Sequence, residues 1–206
     1  MKSLSRPVAG ALPPSPVRGR GQLLAVLLIV MVATRYHHFG DLLHLPDASM
    51  ALFFLGGFYL RRYALYALML AVAVLVDYVA IRQQGMSFFQ HYCVTPAYYG
   101  LLLSFLVLWQ AGRWIAARRR SGAAPMALVW LVGVAAAVVS FLLSNGMFYW
   151  FGGRYPDPNW GQYLARIGQW GPLFVRTTAI YLAVGVALHH VVARLRRTPA
   201  APVARA

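Results

Sequence analysis

The chain has 206 residues, 60% of them hydrophobic and 11% charged, with a formal net charge of +15. That composition excludes an ordinary water-soluble domain, and the basic excess falls in short clusters between long apolar runs, a positive-inside pattern and not a nucleic-acid footprint. A single lysine, Lys2, and the lack of glutamate exclude a Gly-rich phosphate loop with its lysine and a His-Glu-x-x-His metalloprotease motif.

In chain order, residues 1–21 hold Pro, Gly, Ser, Lys2, Arg6, Arg18 and Arg20 and read as a disordered, basic cytoplasmic tail. A signal peptide also starts basic and turns apolar. Here the basic part is long and no small-x-small cleavage site follows, so the first apolar run reads as a retained span. Spans are expected at about 22–39, 47–60, 63–82, 94–115, 126–151 and 171–193, most of them near the ~20 residues that cross about 30 Å of hydrocarbon. Thr95 and Pro96 suit the start of span four. No period-two alternation of a membrane barrel is present. The fold class is therefore all-α, a polytopic membrane protein with six transmembrane helices in one domain, residues 22–195, and a cytoplasmic tail at 196–206. With the N-terminus in the cytoplasm, Arg61-Arg62, the Arg113–Arg120 cluster and the C-terminal arginines all fall on the cytoplasmic side, as does the C-terminus.

This topology gathers His37, His38, Asp41, His44, Asp77, His91, Cys93, Tyr98, Tyr99, Trp160, Arg166, Trp170 and Arg176 at the outer side. A small-molecule site should open there. Asp77 lies about one turn inside span three, where a carboxylate needs a cavity or a partner. Arg176 is its expected partner and Arg166 the rival, and a purely structural pair fits as well. His37, Asp41 and His44 are spaced for one helix face and for zinc. Gly40 and Pro46 interrupt such a helix, which favours loop histidines. Tyr98 and Tyr99, with Trp160 and Trp170, suit either the aromatic belt of any membrane protein or the rim of a pocket for a broad, flat ligand. Cys93 is the only cysteine. It reads as a nucleophile, a redox group, a soft metal ligand or simply a small buried apolar residue. At a helix start the dipole favours its thiolate.

Six spans in about 200 residues, an outward polar face, the lone cysteine ahead of Pro96-Ala97-Tyr98, and Asp77-Tyr78 near the end of span three together resemble the BtuM family of small cobalamin transporters. These are relatives of the substrate-binding subunits (S-components) of energy-coupling-factor transporters. The resemblance covers about residues 22–195. It implies the six-helix S-component fold in a bacterial inner membrane and a cobalamin or related corrinoid as bound substrate. It implies Cys93 as axial ligand to cobalt, with displacement of cyanide and so an accessory decyanation of cyanocobalamin. It further implies a pocket lined by Tyr98, Asp77, His38 and Arg166, with His37 as the alternative to His38 and with Tyr78 and Tyr99 alongside. Besides the lipid membrane, the implied partner is an energy-coupling module or none; no nucleotide and no nucleic acid are expected. Two other readings stay open. One is an S-component-type subunit for another vitamin, with Cys93 incidental. The other is a membrane thiol enzyme using Cys93, which would need a nearby histidine as base.

Overall fold

The structure, a computed structural model, describes residues 16–36, 46–91, 94–120 and 124–195. Among them the secondary structure is helical throughout. The helices are α1 (Pro16–Tyr36), α2 (Ser49–Tyr59), α3 (Tyr63–Gln83), α4 (Tyr98–Arg120), α5 (Met126–Phe151) and α6 (Trp160–Leu195), with a 3-10 turn at Phe88–Gln90. Five of these are long and apolar enough to cross a membrane. The sixth, α2, has 11 residues and reaches only about 16 Å at ~1.5 Å per residue.

That short helix is the centre of the bundle. It touches all five other helices, and eight of its residues are buried. A helix apolar all round has no face to give to solvent, so it packs inside. Its start is fixed by Asp47, whose carboxylate accepts the Ser49 N–H at 2.8 Å, and by Thr34 of α1, whose hydroxyl accepts the Ala48 N–H at 3.2 Å. It stops at Tyr59, two residues before Arg61, which is held in the left-handed region at φ 64°.

The main contacts run α2–α4, α4–α5 and α5–α6. Glycines let α2 and α4 meet backbone to backbone. A Cβ added at Gly57 would overlap the Trp109 carbonyl, and one at Gly112 would overlap the Phe54 carbonyl. Close by, Phe53 and Phe105 stack with centroids 4.3 Å apart. The outward surface is different. Ile29, Leu75, Leu131, Val139, Ile180, Val184 and Leu188 are all more than half exposed. A water-soluble protein does not show such a girdle. Carried on helices of spanning length, it belongs to a multi-pass membrane protein.

Three boundaries differ from the sequence expectation. The helix expected from residue 22 already starts at Pro16, taking the last residues of the expected tail into α1. Thr95 and Pro96 form a turn ahead of α4, which starts at Tyr98. The largest difference is α6, which starts at Trp160 and runs through Pro172 for 36 residues. The stretch 160–170 folds as helix because Asn159 caps it. The Asn159 side-chain oxygen accepts the Gln162 N–H at 2.9 Å, the bond an N-cap makes to the third helical residue. Tyr149 of α5 then holds that start, accepting the Asn159 N–H at 2.8 Å and donating to the Gln162 side-chain oxygen at 2.7 Å.

Candidate functional site

Arg35 stands in the last turn of α1 and Asp77 in α3, and the two are buried together (6% and 4% exposed). Their contact is bidentate. Arg35 Nε donates to Asp77 Oδ1 at 2.7 Å and Nη2 to Oδ2 at 2.6 Å. The third guanidinium nitrogen donates to Asp47 Oδ2 and Ser49 Oγ, both at 3.2 Å. Tyr98, the first residue of α4, donates its hydroxyl to Asp77 Oδ2 at 2.7 Å. One cation thus holds two carboxylates, and four chain segments are tied at one point. A buried guanidinium needs such saturation, since each unmatched donor carries its full desolvation penalty.

This cluster forms one wall of a cavity of about 540 Å³. The opposite wall comes from α5 and α6. There Arg166 donates to Asn145 Oδ1 at 3.2 Å and to the Tyr155 hydroxyl, and lies over the Tyr155 ring. Arg154 lines the same side, and Leu101, Phe105, Phe141, Trp170 and Phe174 supply apolar surface. Three polar atoms of this wall, Ser140 Oγ, Asn145 Nδ2 and Arg166 Nε, are buried without a hydrogen-bond partner among the described residues. Ser140 and Asn145 are 0% and 8% exposed. Buried polar groups are normally paired, so these atoms are what a polar ligand would engage.

Of the residues singled out from sequence, Asp77, Tyr98 and Arg166 come together on this cavity. Tyr78 and Tyr99, neighbours of two of them in sequence, are 43% and 72% exposed and do not line it. One helical position turns a side chain by about 100°, which carries both rings off the cavity. Cys93, His37 and His38 lie outside the described residues, as do Asp41 and His44 of the expected zinc triad. Among the described residues no three His, Cys, Asp or Glu side chains converge. Of the neighbouring residues, His91 is buried, and Ala97 is buried and lines the cavity.

The expected Asp77–Arg176 pair is not formed. Arg176 is exposed on α6, and Arg35 takes Asp77 instead. The rival, Arg166, is engaged with Asn145 and Tyr155. Sequence reading also passed over Asp47, Ser49, Ser140 and Asn145 as site residues. A signal existed for the last two: with Ser144, which shares a face with Ser140 at i, i+4, they are polar residues on an otherwise apolar helix.

His91, in the turn before α4, has an imidazole held below its ordinary value of 6.5 by burial, with the Asp77 charge pulling the other way. The unfolded chain then binds more protons than the folded one once pH falls below about 6.5, so acidification should lower stability there. Melting temperature measured from pH 7.5 to 5 should fall less steeply for His91→Gln than for wild type. Equal slopes would assign the pH dependence to other groups.

No protein-family model matches this chain, and no curated protein does.

Proposed function

We propose that the chain takes up cobalamin or a related corrinoid across a bacterial inner membrane. It binds the corrinoid from the periplasmic side with Cys93 as axial ligand to cobalt, and both its termini are cytoplasmic. The observation that supports this reading is the two-walled cavity. A corrin is a broad disc with apolar faces and a rim of amide side chains. Aromatic and aliphatic surface between two polar walls suits it, and Ser140, Asn145 and Arg166 hold unused hydrogen-bonding atoms of the kind amides engage. Cys93 stands five residues before Tyr98, in the segment that leads onto the cavity at Ala97. A thiolate there, soft and charged, is a competent cobalt ligand, and its binding would release the cyanide of cyanocobalamin.

Purified protein mixed with cyanocobalamin should show the cobalt absorption bands shift as sulfur replaces cyanide, and Cys93→Ala should abolish the shift. A wild-type spectrum identical to free cyanocobalamin, together with failure to rescue a corrinoid-uptake mutant, would overturn the reading.

The cavity volume favours a second reading. About 540 Å³ sits mid-range for small-molecule sites of roughly 300–1,000 Å³, which fits a smaller, metal-free vitamin held by the same walls. Tight binding of such a ligand that survives Cys93→Ala would identify that case.

A further inference from the structure

The opposite end of the bundle carries a second concavity, about 240 Å³, where α2, α4 and α6 end. Phe58 and Tyr59 line it together with Arg61, Arg119, Arg120 and His189. No carboxylate among the described residues lines it. Among the described residues the three acids, Asp47, Asp77 and Asp157, all belong to the cavity end of the chain's helices. The arginines are placed with some precision. Arg61 is held in the left-handed region at φ 64°, its Nε donates to the Phe58 carbonyl at 3.1 Å, and its Nη2 reaches the Ala116 carbonyl at 3.4 Å. Arg119 donates to the Ala124 carbonyl at 3.0 Å. His189 Nδ1 shares a 3.0 Å hydrogen bond with the Tyr59 hydroxyl. Arg61 is held below the ordinary guanidinium value by burial and by the positive charges of Arg120 and Arg20. Neighbouring cations therefore meet here with no counter-charge among the described residues, around a hollow of defined shape.

Bare carbonyl contacts do not discharge such a cluster; an anion with several oxygens does, because guanidinium groups match phosphate geometry. The surroundings choose its source. Leu188 and Val192, one and three residues from His189 on α6, are 58% and 44% exposed, so apolar surface for acyl chains adjoins the pocket. Basic pockets between membrane helices are where anionic head groups sit. We propose that this pocket binds the phosphate group of an anionic membrane lipid. The site is separate from the cavity and independent of what the cavity transports.

The test is native mass spectrometry of the full chain in neutral detergent, with added phosphatidylglycerol, phosphatidylcholine or inorganic phosphate. Phosphatidylglycerol should be retained in preference to phosphatidylcholine. Each arginine near an anionic surface is worth about fivefold in affinity, so Arg61→Gly with Arg120→Gln should weaken retention about twenty-five-fold. Glycine is chosen at 61 because it accepts the positive φ. If that double variant does not fold, Arg120→Gln alone decides, since Arg120 is exposed. The comparison is Arg118→Gln, which removes a cation lying over Trp114 outside the pocket and should weaken retention less. Three results would overturn the proposal: phosphatidylcholine bound as well as phosphatidylglycerol, Arg118→Gln matching Arg120→Gln, or inorganic phosphate binding as tightly as the lipid.

Discussion

Replacing Asp77 with leucine is expected to destabilise the folded protein by about 3–5 kcal/mol. The cause is not the loss of an attraction but the charge left behind. Arg35 is buried with its Nε and Nη2 both spent on Asp77. Removing that carboxylate leaves Asp47, at 3.2 Å through Nη1, as the only counter-ion among the described residues and two donors unmatched. Asp47 keeps the loss toward the lower end of the range. Removing both partners, Arg35→Met with Asp77→Leu, should recover much of the stability, because an apolar pair of similar volume carries no desolvation penalty. Thermal unfolding in detergent measures all three proteins. A double variant no more stable than the single one would show that the pair is not an energetic unit. Either change also removes the acceptor of Tyr98 and opens the cavity wall, so ligand binding should fail even in the variant whose stability recovers. That separation of binding from folding is what a merely structural ion pair would not produce.

The second large effect is expected from a single methyl group. Gly57→Ala places a Cβ against the Trp109 carbonyl, 2.8 Å from its carbon, and Gly112→Ala places one 2.8 Å from the Phe58 nitrogen. Both obstacles are backbone, so no rotamer change relieves them and α2 and α4 must separate. Overpacking of a close-packed interior costs about 1–3 kcal/mol, and a backbone obstacle puts each substitution at the upper end. The Phe53–Phe105 stack and the α4 residues that line the cavity, Leu101 and Phe105 among them, move with the separation. Gly168→Ala is the contrast. Nothing lies within 4 Å of a Cβ there, and it sits inside α6, where alanine gains about 0.5–1 kcal/mol over glycine. Melting temperatures of the three variants should therefore fall, fall and rise. A Gly57→Ala protein as stable as wild type would mean that α2 and α4 do not approach so closely.

Much of this architecture is readable from residue pattern because the apolar runs are long and the arginine clusters punctuate them. The α3 and α5 boundaries, near Arg62, Arg82, Met126 and Phe151, follow from that alone. Less legible is what depends on tertiary contact. The stretch 160–170 looks like loop for its glycines and tryptophans, yet Asn159 and Gln162 carry a helix-start pattern, and Tyr149 secures it from another helix. Arg35 looks like a boundary marker, since a cation ends span one. Its burial depends on α2 and α3 closing over it, which no local pattern records. The sequence makes Arg176 the expected partner of Asp77, but rotation about the helix axis decides partners, and Arg176 faces outward. Asp77, Tyr98 and Arg166 do share one cavity, brought there from three helices by packing that residue spacing does not describe.

The length of α6 bears on how that cavity is bounded. At ~1.5 Å per residue its 36 residues extend about 54 Å, well beyond the ~30 Å of a hydrocarbon layer. Pro172 divides it. Proline has no N–H, so the Gly168 carbonyl receives no bond from that position, which weakens the helix at that turn. Arg166 stands N-terminal to that turn, while its partner Asn145 stands on α5. The Arg166 end of that wall is thus joined to the rest of α6 through one turn that lacks a backbone hydrogen bond. A shift at that turn would carry Arg166 with it and leave the glycine contact that locks α2 to α4 in place.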